Sequence, residues 1–173
     1  MKTDPQMIQH LNNVLGNELV AINQYFLHSK ILKNWGINKL AEKEHEESID
    51  EMKHADKLSD RILFLDGLPN FQSLGKLYIG QNVKEILECD LKLEYKARED
   101  LISAIKYAES IADFPSRVLL ESIMISEEGH IDFLLMNLEI TPSLGCHQAL
   151  LTDLKPKTTS ASSDLISLFL IML

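Results

Sequence analysis

Three Glu-x-x-His pairs are the residues of this sequence best suited to metal chemistry. Side chains three residues apart on a helix share one face, so a carboxylate and an imidazole at that spacing can bind one ion. The pairs are Glu42/His45, Glu51/His54 and Glu127/His130. One such pair is a weak signal in a chain with 26 acidic residues, so a second criterion must separate ligands from coincidence.

An internal repeat supplies that criterion. A shift of 76 residues carries Glu18, Glu51 and His54 onto Glu94, Glu127 and His130. The same shift carries Leu11, Leu15, Leu58 and Ile62 onto Leu87, Leu91, Leu134 and Leu138. We interpret the halves as two helical hairpins that pack into a four-helix bundle and bring four carboxylates and two imidazoles together.

The pair Glu42/His45 does not follow the repeat. The 76-residue shift carries it onto Val118 and Glu121, which cannot form the same pair. Six residues of helix also turn His45 about 120° away from Glu51. We expect this pair to lie on a surface or to line a cavity.

The charges of the six repeated residues favour two divalent ions. Glu18 and Glu94 interrupt apolar helix stripes, and a buried carboxylate without a partner is costly. The alternative is that these acids are solvated or form salt bridges, but no stripe of Lys or Arg balances them. Two divalent cations would neutralise four carboxylates. Mixed carboxylate and imidazole ligands suit iron or manganese better than structural zinc, magnesium or calcium, and iron is the first choice.

The elements that must position these residues are long helices. Apolar spacing, capping residues and breakers predict helices at 5–35, 38–66, 83–111 and 114–139. Residues 67–82 form a connection long enough to cross the bundle. Thr141-Pro142-Ser143 is expected to break the chain before a short fifth helix at 143–154.

Composition narrows the class of protein. A chain of 173 residues with 45% hydrophobic residues can form one buried core, so residues 1–154 are expected to be one domain. Residues 155–173 form a Ser/Thr-rich linker and an apolar tail too short to span a bilayer.

Charge and terminal sequence bear on partners and location. A net charge of -9 disfavours nucleic acid as a partner. The first twenty residues lack the apolar stretch of a secretory signal, so we expect a cytoplasmic protein that does not bind membranes. Cys89 and Cys146 are too few and too far apart for a disulfide framework.

The ligand set and several longer segments resemble the bacterioferritins, the haem-binding bacterial members of the ferritin superfamily. The segments are LGNELVAINQYFLH, HEESIDEMKHAD, RILFLDGLPN and SEEGHIDF, and the match covers residues 1–139. The resemblance implies an all-α, ferritin-like four-helix bundle with a long crossover. It also implies that Glu18 and His54 bind one iron, Glu94 and His130 bind the other, and Glu51 and Glu127 bridge them.

The resemblance implies a ferroxidase. Such a protein oxidises Fe(II) with O₂ or peroxide and stores Fe(III) as mineral in a hollow homo-oligomeric shell, usually of 24 subunits. Tyr25 lies two turns after Glu18 on the same face. It could form a hydrogen bond near the irons or donate an electron, and an ordinary core tyrosine is an equal alternative.

The resemblance extends to further binding residues. Met52 matches the methionine that, with its copy from a second subunit, clamps haem b at a two-fold interface. The alternative is an interface methionine without haem. Glu46 and Asp50 are candidates for iron binding on the cavity wall, although some relatives have His at the first of these positions.

Three other functions remain compatible with the ligand set. Another di-iron carboxylate oxidase or peroxidase would use the same ligands on an organic substrate. A DNA-protecting mini-ferritin would place iron between subunits and is disfavoured by the acidic balance. A non-catalytic bundle would use the Glu and His residues only to satisfy one another.

Overall fold

The computed structural model describes the backbone of residues 4–144 and the side chains of residues 4–140. Four helices account for most of it: α1 (Pro5–Asn34), α2 (Asn38–Phe64), α3 (Val83–Ser110) and α4 (Phe114–Leu144). No strand occurs among the described residues. The predicted all-α, four-helix architecture is confirmed.

Local sequence explains where α1 and α3 begin. The side chain of Asp4 accepts a hydrogen bond from the backbone N–H of Gln6 at 2.9 Å, and Pro5 occupies the first turn, where its missing donor costs nothing. Asn82 accepts from the backbone N–H of Glu85 at 3.0 Å. These caps satisfy donors that a helix start would otherwise leave unpaired.

Tight turns make each hairpin antiparallel. Gly36 adopts φ +83° between α1 and α2, a conformation that favours glycine. Ala112 adopts φ 58° between α3 and α4 and therefore bears the cost of a side chain in the left-handed region. As a result α1 packs along α2, α3 packs along α4, and α1 also packs against α3.

The connection between the hairpins runs along α1 and is fastened to it. Side chains of α1 make four hydrogen bonds to its backbone: Asn12 Nδ2 to Leu68 O (3.1 Å), Asn70 N to Asn12 Oδ1 (2.7 Å), Tyr78 N to Gln24 Oε1 (2.9 Å) and Gly80 N to His28 Nε2 (3.2 Å). The predicted crossover is therefore a docked segment, although many of its side chains are exposed.

Two apolar clusters fill the bundle on either side of a polar middle layer. One contains Leu11, Leu15, Leu58, Leu101 and Leu120. The other contains Leu32, Leu40, Ile86, Leu87 and Leu134. These clusters supply the hydrophobic stabilisation that allows the layer between them to be polar.

Two predicted boundaries were wrong. Helix α2 ends at Phe64, two residues before Asp66, which adopts a positive φ of 59°. Helix α4 does not end at residue 139 but continues through Pro142 to Leu144. A proline inside a helix costs about 3 kcal/mol, and here it falls in the last turn of a long helix instead of ending it.

The remaining predictions about the C-terminus fall mainly outside the described part of the chain. The predicted fifth helix at 143–154 overlaps the end of α4, and its other residues lie outside the described range. The tail at 155–173 lies outside it entirely. None of the described helices is both long enough and apolar enough to cross a membrane.

Candidate metal centre

The six residues singled out by the repeat meet in the middle of the bundle, and each helix contributes. All are buried, with exposed fractions of 2% for Glu18, 1% for Glu51, 7% for His54, 1% for Glu94, 1% for Glu127 and 7% for His130. Ordinary acidic side chains are almost never this buried without a partner or a metal ion. This layer therefore needs compensating charge.

Around His54, three carboxylates converge on one ring nitrogen. Nδ1 of His54 lies 2.9 Å from Glu51 Oε2, 3.3 Å from Glu18 Oε2 and 3.3 Å from Glu127 Oε1. Ligand atoms of these four residues all lie within 4.8 Å of one another. One ion can therefore contact all four.

A matching set surrounds His130. Its Nδ1 lies 3.1 Å from Glu51 Oε1, 3.4 Å from Glu127 Oε2 and 3.7 Å from Glu94 Oε1. These four residues form a second group with ligand atoms within 4.8 Å of one another. The two groups share two of their members.

The shared carboxylates present one oxygen to each group. Glu51 turns Oε2 to His54 and Oε1 to His130, while Glu127 turns Oε1 to His54 and Oε2 to His130. Of the two histidines, Glu18 contacts His54 and Glu94 contacts His130. This arrangement would allow Glu51 and Glu127 to bridge two ions while Glu18 and Glu94 each bound one.

In the metal-free protein, protons neutralise the layer. Burial by itself would lower the pKa of His54, but the surrounding carboxylates raise it to about 12. The pKa of His130 is raised in the same way. Both imidazoles are therefore cationic when no metal is bound.

The carboxylates divide into two kinds. Burial raises the pKa values of Glu18 and Glu94 well above the usual range. Burial also acts on Glu51 and Glu127, but the close approach of both imidazoles outweighs it and lowers both pKa values. These directions favour protons on Glu18, Glu94 and both imidazoles, an arrangement in which the layer has no net charge, as it would with two divalent cations and no such protons.

The donor set fits iron. Glu18 Oε1, Glu51 Oε1, Glu127 Oε1 and His130 Nδ1 are buried and make no aligned hydrogen bond. Buried polar atoms that remain unpaired are expensive, and several that point at one place indicate a ligand. Oxygen and imidazole donors without thiolate match the preferences of iron and manganese.

Tyr25 touches the centre directly. It is 1% exposed, and its hydroxyl donates a hydrogen bond to Glu94 Oε1. Burial and the neighbouring Glu94 carboxylate raise the pKa of Tyr25 well above its usual value, so the phenol keeps its proton. Its ring lies edge-on to the ring of His130, with centroids 6.4 Å apart.

Two buried acids beside the centre were missed from the sequence. Glu47 is 3% exposed, and its Oε2 lies 2.5 Å from Nε2 of His130. Its other oxygen contacts the ammonium of Lys43. Glu44 is 1% exposed, and burial together with Asp90 raises its pKa well above the usual range.

Glu44 belongs to a second polar cluster with His28 and Asp90, whose ligand atoms lie within 4.8 Å of one another. Nε2 of His28 accepts the Gly80 N–H at 3.2 Å, so Nδ1 carries the proton and donates to Asp90 at 2.9 Å. Gln24 Nε2 also donates to Asp90, at 2.8 Å. Because both His28 nitrogens are engaged in hydrogen bonds, this cluster is a polar brace and not a second set of free ligands.

A signal for the missed acids was present in the spacing along α2. Glu47 and Glu44 precede Glu51 by four and seven residues, which places all three on one helix face. The repeat hides them, because the 76-residue shift carries them onto Ile123 and Leu120.

The other predicted residues lie away from this layer. Met52 is 50% exposed. Glu46 is exposed, and Asp50 is half-buried and paired with Lys53, whose hydrogen bond lowers the pKa of Asp50. Glu42 and His45, the pair that the repeat rejected, are both exposed.

Comparison with known proteins agrees with this geometry. The ferritin-like domain model of the Ferritin family matches residues 8–142. The chain is 48% identical to a bacterioferritin of Brucella melitensis over 145 residues, covering 84% of this chain and 90% of that one. It is 49% identical to bacterioferritin BfrA of Mycobacterium tuberculosis, covering 84% and 91%. It is 45% identical to a bacterioferritin of Rhodobacter capsulatus, covering 84% and 90%.

Proposed function

This chain belongs to the bacterioferritins within the Ferritin family, and from that premise we propose that it stores iron and oxidises Fe(II) to Fe(III) at a di-iron centre within each subunit. The observation that carries the proposal is the division of oxygens on Glu51 and Glu127. Each offers one oxygen to the His54 group and the other to the His130 group. Two Fe(II) ions bound by these groups would lie side by side.

The pairing of the ions explains the chemistry. Each Fe(II) gives up one electron, so a pair supplies the two electrons that reduce peroxide to water or O₂ to peroxide. Carboxylate oxygens stabilise the higher charge of Fe(III) better than neutral ligands do. The four buried glutamates therefore favour the oxidised product, while the apolar clusters above and below limit access of water.

Binding of the ions would release protons from the ligand side chains. The metal-free layer holds protons on both imidazoles and on Glu18 and Glu94, as their raised pKa values indicate. Bound Fe(II) would displace those protons, because a ligand must be deprotonated to coordinate. Tyr25 keeps Glu94 in place by donating its hydroxyl hydrogen.

Assembly into a shell completes the proposed function. We propose a homo-oligomer of 24 subunits with ferric mineral inside, as the family resemblance implies. Exposed apolar side chains on the outer faces of α1 and α2 support an interface there: Phe26 at 46%, Ile49 at 39% and Met52 at 50%. Met52 would bind haem b together with its copy from a second subunit, and Glu46 and Asp50 would bind iron on the cavity wall.

Rapid mixing of the protein with Fe(II) in air tests the di-iron assignment. With two Fe(II) per chain, absorbance from Fe(III) should rise in a fast phase. In the His130→Ala variant the rate of that phase should fall by at least about 100-fold. The substitution removes a proposed ligand itself, and not only a residue that orients a ligand. Glu42→Gln, an exposed change on the same bundle, is the matched control and should match the wild type.

Fold integrity is checked by circular dichroism, because the apolar clusters hold the bundle without metal. An unchanged fast phase in a folded His130→Ala protein would overturn the di-iron assignment. Rapid turnover of an organic substrate without mineral formation would instead favour a di-iron oxidase.

A further inference from the structure

The two iron positions are related by the repeat, but their surroundings are not. The 76-residue shift that relates all the ligands carries Glu47 onto Ile123 and Lys43 onto Leu119. Glu47 carries a carboxyl group and is 3% exposed, whereas Ile123 is apolar, 0% exposed and belongs to an apolar cluster. One side of the centre is therefore polar where its counterpart is apolar.

Glu47 contacts only one of the two proposed ligand histidines, His130. Nδ1 of His130 faces the ligand carboxylates, and its opposite ring nitrogen, Nε2, lies 2.5 Å from Glu47 Oε2. His54 makes its three carboxylate contacts through Nδ1. Within the described part of the chain, no carboxylate pairs with Nε2 of His54.

A carboxylate behind a ligand histidine has a known physical effect. It fixes which nitrogen carries the proton, holds the ring in orientation and makes the other nitrogen a stronger donor to the metal. Lys43 contacts the second oxygen of Glu47 and lies over the Phe133 ring, 5.4 Å from its centroid. Glu47 is thus held between an ammonium ion and an imidazole.

We propose that Glu47 is a positioning residue for His130 and strengthens metal binding at the Glu94–His130 position alone, which makes the two iron positions unequal. This inference rests on the proposed di-iron function. It adds that Lys43 and Glu47 act through the ring of His130 and that the Glu18–His54 position has no such support.

A rival explanation is that Glu47 only adds negative potential to the whole centre. In that case its removal would weaken both positions to a similar degree. The two explanations differ when each position is measured separately, and a double-mutant design does this.

The test uses Co(II) as the probe, titrated into the whole chain and followed by visible absorption. In a His54→Ala background the remaining complete position is Glu94–His130, and Glu47→Gln should lower its Co(II) association constant by about 10-fold or more. In a His130→Ala background, Glu47→Gln should change the constant by less than about twofold. The Co(II) absorption band should shift only in the first background. Only there does Glu47→Gln change the donor strength of a histidine nitrogen that binds the ion.

The Glu47→Gln single variant, with both histidines intact, gives a second measurement that does not depend on the histidine variants. One of its two stepwise Co(II) constants should fall while the other stays. Glu42→Gln, exposed on the same helix, is the control. Equal losses at both positions, or no loss at either, would overturn the inference. Failure of the unmodified chain to bind two Co(II) would overturn the proposed function instead.

Discussion

At the scale of single residues, the proposed metal centre would exchange bound protons for metal ions. Six buried groups balance their charges by holding protons on both imidazoles and on two of the four carboxyls. Four atoms of these groups, Glu18 Oε1, Glu51 Oε1, Glu127 Oε1 and His130 Nδ1, are buried without a hydrogen-bond partner. Whether protons or metal ions occupy the layer is then decided by pH and by metal concentration.

A first prediction follows from that competition. Binding of two Co(II) should release about four protons per chain, two from the imidazoles and two from Glu18 and Glu94, because every ligand must be deprotonated. The pKa values of these four groups are raised in the metal-free protein, so metal ions must compete with protons for them. Affinity should therefore increase as pH rises and weaken as pH falls.

A pH indicator in weakly buffered solution measures the release directly. His130→Ala should release fewer protons than the wild type, since one imidazolium is gone. Metal binding without any proton release would contradict the charge assignment.

A second prediction concerns Tyr25. Tyr25→Phe leaves Glu94 buried without its hydroxyl donor, which should cost about 1–3 kcal/mol of unfolding free energy in the metal-free protein. Fe(II) oxidation should slow, because a ligand carboxylate loses the bond that orients it. Tyr95→Phe is the matched control, since Tyr95 adjoins Glu94 in sequence but is 46% exposed. Denaturant unfolding and rapid mixing measure the two effects, and equal behaviour of both variants would contradict a role for the Tyr25 hydroxyl.

At the scale of elements, the crossover is held by the same helix that supplies Glu18 and Tyr25. His28 accepts the Gly80 N–H and donates to Asp90, and Gln24 links Tyr78 to Asp90. The polar brace thus fastens the crossover to the bundle beside the metal layer. A substitution that disrupts the polar brace should first increase the mobility of residues 65–82.

His28→Ala provides the third prediction. It removes a buried side chain and leaves the Gly80 N–H without its acceptor, so it should cost about 3 kcal/mol of unfolding free energy. Limited proteolysis should cut the crossover faster than in the wild type. His45→Ala, at an exposed position on α2, should do neither. Unchanged cleavage in His28→Ala would show that the other crossover bonds suffice.

The elements also show what sequence can and cannot predict. The ligand layer followed from the repeat, because a metal pair constrains both hairpins in the same way. Glu44 and Glu47 were not predicted because each occurs in only one hairpin. The 76-residue repeat identifies only residues that have an equivalent in both hairpins. The extension of α4 through Pro142 was not predicted, because proline was expected to end the helix, whereas α4 continues to Leu144.

At the scale of the whole molecule, a single chain exposes apolar side chains on neighbouring faces of α1 and α2. His45, Ile49 and Met52 follow one face of α2, and the ring of His45 lies 6.2 Å from that of Phe26 on α1. A half-exposed methionine in such a patch is an unusual use of surface unless another subunit covers it. The proposed haem-binding role requires that assembly bring two copies of Met52 together across a two-fold axis.

The last prediction separates haem binding from assembly. Met52→Leu keeps the apolar bulk but removes the thioether sulfur, so the oligomer should persist while the absorption spectrum of bis-methionine haem disappears. Gel filtration measures the first property and visible spectroscopy the second. Met124→Leu changes a partly buried methionine that packs against an apolar cluster of the bundle, and should alter neither. If purified wild-type shells contain no haem, or if Met52→Leu retains the spectrum, Met52 serves only in packing between subunits. Loss of the shell in Met52→Leu would assign the residue to assembly instead.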